Sequence, residues 1–499
     1  MLSLRAKLGY KVYILIAIFA YTTFFSIVEI IIYRSFRIFT WDLGIFNQAL
    51  WNTLHGRFLY YTAETYYTRT GCFLAAHFSP ILLLTLPFYA VWPTGENLLM
   101  IGTLAVAVGA LPAYGIANFF LRNEKLAVIL GIFYLLYPPL QGITLSGFSP
   151  ESFIGTLFLF IVYCLIKSDF KKLAIAIPLG LMTHEASVPV IAFIALYGMF
   201  HYHSAKSKGF QASLIILATC ILYFFFAQYG RAFFGWTGQP SLWHEWAQVG
   251  AAGTADLPSK ILQNPIGAWK ALASDDAAKL LYIALLLLPA LFLPLLGLRG
   301  LMPAFPYFFI AMFSSYPLYY SLEGHYAAFV APFIFLGFLH GLMRLQRKPR
   351  LKISVLKLAK LALLVTVTSL VILLPLIYSQ YQVFNVDGEN NDVIRSFISR
   401  IPQNASILTQ SNIFPHVSSR PDAYTIAPPI WSPEYECIDK EILQNLSKLD
   451  VRYVLLDFSS EPAFSSAADL IYTNFIVPSG NRYSLIDAKD GVVLFCLKT

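Results

Sequence analysis

Charge is what this sequence has least of. Only 12% of its 499 residues are Asp, Glu, Lys or Arg, against 57% hydrophobic residues, and the mean hydropathy of +0.63 excludes a water-soluble globule. The five cysteines form no CxxC pair, which excludes the common thiolate metal and redox motifs. Phosphate-cradling P-loops, HExxH zinc sites and GxSxG nucleophile elbows are also missing. The net charge of +8 is spread over short basic segments without interleaved aromatics, so nucleic acid is not an expected partner.

Long apolar runs are abundant instead. The first, from Val12 to Tyr33, is long enough to cross a bilayer and lacks the small-residue cleavage site of a signal peptide. Others lie at about 80–120, 126–140, 152–166, 173–203, 211–228, 278–298, 300–318, 326–343 and 358–378. These runs predict a polytopic α-helical membrane protein of about 11–13 spans over 1–380. Two loops are long, 34–79 and 229–277, and the second carries Trp236, Trp243, His244, Trp246 and Trp269. Its tryptophans read mostly as interface anchors.

Basic segments sort the loops by side. Arg5, Lys7 and Lys11, then Arg122 and Lys125, Lys167 to Lys172, Lys206 to Lys208 and Arg344 to Lys357 mark the cytoplasmic side and contact anionic lipid heads. The N-terminus is then cytoplasmic, and Asp42, His77, Glu151, His184, Glu185 and His325 share the outer face. Parity leaves two readings at 80–120: either the piece before Trp92-Pro-Thr-Gly-Glu-Asn97 is short or re-entrant, or Arg122 and Lys125 lie outside. Within 173–203, His184-Glu185 is either a tight outer loop or a polar break in one long helix.

Beyond about Tyr378 the composition becomes that of a soluble domain. Ser406 to Gln410, Val451 to Asp457 and Gly491 to Leu497 read as short strands, and Asp487-Ala-Lys-Asp-Gly491 reads as a hairpin turn. Residues 381–499 thus predict a small α/β domain outside the cytoplasm. Cys437 and Cys496 both fall there, where a disulfide is permitted. The triplets Asn404-Ala-Ser406 and Asn445-Leu-Ser447 agree with an exterior location.

Ionisable residues next to apolar runs are the site candidates, because polar groups at a bilayer are costly unless used. From Asp42, the residues Leu43, Phe46, Leu50 and Leu54 form one helical stripe while Asn47, Gln48 and Asn52 lie elsewhere, which fits an amphipathic helix in the membrane interface. Asp42 is either the N-cap of that helix or a general base toward a hydroxyl. His77 either opens a span or serves as phosphate ligand or proton carrier. Glu185 is a functional acid or a loop carboxylate paired with His184, and Glu151 is a functional acid or a charge favoured by a helix dipole. His325 and Tyr326 read as headgroup contacts or as belt anchors. Glu29 reads as structural, pairing with Arg34. Asp275-Asp276 is a slight divalent-metal signal, and the sequence leaves the metal question open.

The string Trp41-Asp-Leu-Gly-Ile-Phe-Asn-Gln-Ala-Leu-Trp-Asn-Thr-Leu-His-Gly-Arg-Phe58, with His77-Phe-Ser-Pro80, Leu136-Tyr-Pro138, Thr183-His-Glu185, Gly324-His-Tyr326 and Arg452-Tyr-Val-Leu-Leu-Asp457, resembles the DUF2079 family of prokaryotic integral membrane proteins, a domain of unknown function. That family is similar to the GT-C glycosyltransferases, which use a lipid-phosphate sugar as donor and keep a catalytic acid on the first exterior loop. The resemblance implies a membrane glycosyltransferase taking sugar from a polyprenyl-phosphate donor at the outer face. Asp42 matches the loop acid and Glu185 a second one, with His77, Glu151, His184, His325 and Tyr326 as substrate contacts. Two departures stand out: Gly147-Phe-Ser-Pro-Glu151 where the family commonly has Asp-Phe-His-Pro-Glu, and His184-Glu185-Ala186 where it has Lys-Glu-Asp. A transporter or lipid-handling protein, or a non-catalytic envelope protein on the same fold, is the alternative.

Overall fold

The computed structural model describes residues 9–64, 66–239, 245–348, 354–377, 390–427 and 433–498. Among them, four helices are long and apolar enough to cross a membrane: Lys11–Arg34, Gly95–Leu121, Lys208–Phe233 and Val355–Ile372. The helices Glu124–Leu135 and Pro138–Leu145 make a fifth if taken as one span bent by 44°. The bend sits at Pro138-Pro139, where proline forces the preceding Tyr137 into an extended conformation and opens the next helix.

These helices present apolar side chains outward. On Lys11–Arg34 the residues Ile14, Ile18, Tyr21, Phe25 and Ile32 are buried, while Ile16, Phe19, Phe24 and Ile27 on the other side are exposed. Lys208–Phe233 exposes Leu222, Phe225, Phe226, Tyr229 and Phe233. Rows of this kind have lipid as their natural neighbour.

Several apolar runs break into shorter pieces, so the expected 11–13 spans are not found as that many full-length helices among the described residues. The run at 80–120 divides into the eight-residue Leu82–Tyr89 and the long Gly95–Leu121, which matches the short-segment reading. The run at 173–203 divides into Phe170–Leu181 and Ser187–Tyr202, with His184-Glu185 in the break. Glu29 is buried and accepts a bond from the Thr103 hydroxyl, while Arg34 pairs with Glu96 at 3.6 Å instead of with Glu29.

The C-terminal part is a five-stranded mixed sheet in the order β2-β1-β3-β5-β4, with β1 Ile407–Thr409, β2 Ala423–Tyr424, β3 Tyr453–Asp457, β4 Tyr483–Lys489 and β5 Val492–Leu497. Strands β1, β2 and β3 run parallel, and β5 is antiparallel to both β3 and β4. The expected hairpin closes through Asp490 and Gly491, both with positive φ (50° and 82°), as a tight two-residue turn requires. Alternation along β3 serves two cores. Leu455 packs with Phe397 and Phe414 on one face, and Val454 and Leu456 pack with Leu443 and Ile471 on the other. The proposed partner of Cys496 is Cys437, whose side chain lies outside the described residues.

This domain is folded down onto the first loop. The helix Ile45–Leu54 is buried on its polar face as well as its apolar one, because Asn47 donates to Ser418 and Ser419 (2.7 and 2.9 Å) and Gln48 to the Ala423 carbonyl (3.0 Å). Arg57 adds an ion pair with Asp422 at 3.0 Å. The stripe read from the sequence is present, but its polar side faces protein and not an open membrane surface.

Candidate active site

Glu185 is the centre of the most densely connected ionisable group. It sits in the loop between Phe170–Leu181 and Ser187–Tyr202. Oε1 lies 3.1 Å from His77 Nδ1, and Oε2 accepts the Phe78 backbone N–H at 3.1 Å. His184 adds contacts from Nδ1 to Glu185 Oε2 (3.7 Å) and from Nε2 to Glu151 Oε1 (3.6 Å). The rings of His77 and His184 are 5.1 Å apart. Burial works against a charge on Glu185, but the imidazoles of His184 and His77 overcome it and hold the carboxyl well below its usual range. Burial also opposes a charge on His77, yet Glu185, with help from Glu64, raises its pKa to about 9. His77 keeps 45% of its side chain exposed, so it lines a cleft instead of filling a core position.

His325 and Tyr326 continue the wall. Their rings are 4.4 Å apart, and Tyr326 packs on Tyr319 at 4.6 Å and near Tyr316 at 6.4 Å. The carboxylate of Glu151 and the rings of His184 and His77 all act on His325, whose pKa is lowered, mainly by burial.

Asp42 acts on Tyr316, whose ring lies near that of Tyr326. The Tyr316 phenol is raised above its ordinary value by burial first, then by the charges of Asp42 and Glu245. Asp42 lies within a π-helical turn, Thr40–Gly44, a distortion often kept at functional sites. It does not cap Ile45–Leu54, whose N-cap is Gly44 with no side-chain bond. Its carboxyl reaches back to the Phe39 backbone N–H, the one cause that opposes burial, and burial prevails, bringing its pKa to about 7. Gly147 presses on it directly: a Cβ there would stand 2.6 Å from the Asp42 carbonyl oxygen, and its φ is +89°. A larger residue at 147 would collide with the backbone that carries Asp42.

Three residues are important here that sequence reasoning passed over. Glu64 takes bonds from Trp41 Nε1 (3.1 Å) and Tyr61 OH (2.9 Å) and acts on His77. Arg231, in the last turn of Lys208–Phe233, bonds the Ala75 carbonyl through Nε (3.1 Å), stacks over Trp236 at 4.3 Å, and acts on both Glu185 and His77. Tyr316 links the two halves. The available signals were an acid within the first loop and a lone arginine at the far end of a helix whose other end holds Lys206 and Lys208. Trp246, taken as an interface anchor, is buried and bonds the Ile310 carbonyl at 3.1 Å. Trp269 is 70% exposed, and Trp243 and His244 lie outside the described residues.

His77, His184 and Glu185 form the one group among the described residues that could hold a metal ion, with ligand atoms within 4.8 Å of one another. His184 Nδ1 also meets the Ala186 N–H at 3.0 Å, and its Nε2 faces Glu151. The pair Asp275-Asp276 is engaged locally, Asp275 with Tyr320 and Asp276 with the Ala277 N–H.

Fold and site together define a helical membrane protein with an ionisable cluster in the loops between its apolar helices and a C-terminal sheet domain packed on the loop that carries Asp42. The chain belongs to the family described as predicted membrane protein (DUF2079), whose model matches residues 33–494. No curated protein matches it. Among solved structures it is similar to ArnT from Cupriavidus metallidurans in the apo state, at 11% identity and a TM-score of 0.44, covering 95% of this chain and 97% of that one. It is also similar to an oligosaccharyltransferase from Archaeoglobus fulgidus crystallised with Zn and sulfate, at 12% identity and a TM-score of 0.41, covering 92% and 68%.

Proposed function

We propose that this protein is an integral membrane glycosyltransferase that takes a sugar from a polyprenyl-phosphate donor at the outer membrane face, with its N-terminus in the cytoplasm and its C-terminal domain outside. The observation that carries the reading is the contrast between two unlike carboxyls, Asp42 acting on Tyr316 and Glu185 bonded to His77 beside His184. Asp42 has a pKa near neutrality and no cationic partner among the described residues, as a base requires. Glu185 is locked to His77, whose retained proton supplies positive charge beside it.

In this scheme the acceptor hydroxyl gives its proton to Asp42 as its oxygen bonds to the anomeric carbon. The bond from that carbon to the phosphate oxygen breaks, and the electron pair leaves with the polyprenyl phosphate. His77 and His325 contact that phosphate, with the Arg231 charge nearby, while Glu185 fixes His77 and orients sugar hydroxyls. Glu151 and His184 support His325 and Glu185, and Tyr326 offers a ring face to the sugar. A donor dissolved in the bilayer suits a site at the ends of lipid-facing helices, where no soluble nucleotide pocket is needed.

The test uses the full chain in liposomes with labelled polyprenyl-phosphate hexose and a membrane extract as acceptor source. Transfer of label off the lipid is the expected result. Movement of lipid or label across the bilayer with no covalent transfer would instead identify a transporter.

A further inference from the structure

The C-terminal sheet contains a crevice of the kind that binds ligands in other α/β domains. Strands β1 and β3 are adjacent and parallel, and the chain leaves them in opposite directions. After β1 it passes to β2 on one side. After β3 it passes through Pro462–Ile471 toward β4 at the opposite edge. Loops diverging from the carboxyl ends of two such neighbours leave a gap between them, which is where open α/β sheets place their ligands. The loops here are Gln410-Ser411-Asn412 and Phe458-Ser459-Ser460-Glu461. Gln410 ties them together, donating to the Asp457 carbonyl and the Ser460 hydroxyl (both 3.0 Å) and accepting the Asp457 N–H (2.8 Å).

The occupant of this gap is the protein's own first loop. Thr40 and Ser411 are both fully buried and satisfy each other three times. The Thr40 N–H donates to Ser411 Oγ (3.3 Å), Thr40 Oγ1 to the Ser411 carbonyl (3.2 Å), and Ser411 Oγ to Thr40 Oγ1 (3.1 Å). Phe39 packs on Phe464 at the start of Pro462–Ile471, with ring centroids 4.9 Å apart, and Glu461 acts on Arg37. Two residues past Asp42, Gly44 approaches so closely that a Cβ would lie 2.6 Å from the Phe414 ring. Asp42 therefore sits between an anchor at Thr40 and a contact at Gly44, both made with the C-terminal domain. On its remaining side Gly147 of the helical part presses on its carbonyl.

We propose that the β1–β3 crevice is the receptor for the 37–44 segment, and that Ser411 is a positioning residue which, through Thr40, fixes where the Asp42 carboxyl stands. The role given to Asp42 rests on the glycosyltransferase reading above. The docking itself does not. A reciprocal pair of short hydroxyl side chains holds a backbone more narrowly than apolar packing, because each donor has one acceptor and water is excluded. The C-terminal domain thereby helps to set the geometry at Asp42 through the backbone of the first loop.

Ser411→Ala and the conservative Ser411→Thr separate docking from chemistry when studied in the full chain. Hydrogen exchange read by mass spectrometry should show peptides over 36–44 exchanging about tenfold faster in Ser411→Ala. The peptides holding His77 and Glu185 should be unchanged, and Ser411→Thr should restore slow exchange. Transfer from the labelled lipid should fall about tenfold in kcat with little change in KM for the donor, and the acid limb of its pH profile should move. Unchanged exchange at 36–44 would overturn the docking. Faster exchange with wild-type kcat and an unmoved acid limb would overturn the positioning role. If the wild-type protein itself transfers no sugar, the glycosyltransferase reading fails and the positioning role falls with it, while the exchange data still decide the crevice.

Discussion

Asp42 and Glu185 are two half-buried carboxyls in one protein, and their surroundings drive them in opposite directions. Glu185 has an imidazole at 3.1 Å, a second at 3.7 Å and a backbone N–H at 3.1 Å, so it stays ionised and keeps His77 protonated. Asp42 has one backbone N–H against the full cost of burial and rises to about 7. Partner count, more than depth, decides the outcome. A carboxylate that must hold a proton on a neighbour needs partners, and one that must take up and release a proton near neutral pH has to lack them.

The most severe way to break this contrast is Asp42→Asn. The amide oxygen can still accept the Phe39 N–H, so the turn should fold, while transfer from the lipid donor should fall about 10²- to 10⁴-fold, the range expected for loss of a general base. A transfer assay with the fold checked by circular dichroism decides it, and an unaffected rate removes Asp42 from the chemistry. Gly147→Ala strikes the same carboxyl through its backbone. A Cβ 2.6 Å from the Asp42 carbonyl oxygen, at a φ of +89°, should cost about 1–3 kcal/mol of stability and lower transfer with it. Urea titration alongside the assay reads both effects.

Glu185→Gln attacks the other arm and should act mainly through pH. With Asp42 needed as the base and His77 needed protonated, wild-type transfer should be greatest between limbs near 7 and 9. Without the Glu185 charge, burial pulls His77 back toward or below its ordinary value of about 6.5. The basic limb then moves below the acid one. Transfer at pH 8 should drop about 10- to 100-fold, and a basic limb that stays near 9 would show that Glu185 does not hold the His77 proton.

Much of this arrangement was legible in the sequence because membrane proteins leave so few ionisable groups to choose among. Glu185, His77, Glu151, His184, His325 and Tyr326 all stand beside apolar runs, and the structure brings them into one connected group. The Asp-Gly hairpin and three of the five strands were also readable from local turn chemistry and β-branched runs. What stayed hidden depends on long-range pairing. The burial of Asn47 and Gln48 requires contacts across some 371 and 375 residues, and no local pattern distinguishes a helix lying on lipid from one lying under a second domain. The same limit hid Thr40 and Ser411. The breaks within the apolar runs stayed hidden for a different reason, since a run of apolar residues records burial and says nothing about where proline or a polar pair will break the helix.

The smallest expected effect tests the comparison without any assay of activity. A carboxyl whose folded pKa of about 7 lies above its unfolded value of about 3.9 binds more protons folded than unfolded between those limits. The folded state therefore loses stability as pH rises from about 4 to 7, and the deficit remains above 7. Asp42→Asn removes the titration, so its melting temperature should exceed the wild type's by a few degrees at pH 8 and match it at pH 4. Glu185 has the opposite sign. Its folded pKa is depressed, so its contribution is present above the ordinary carboxylate range and disappears as pH falls through the lowered value. Glu185→Gln should thus melt earlier than wild type at pH 8 and approach it in strong acid. Melting curves of the two variants that move in the same direction at pH 8 would mean that the two carboxyls share one kind of environment, and the division between base and anchor would fall.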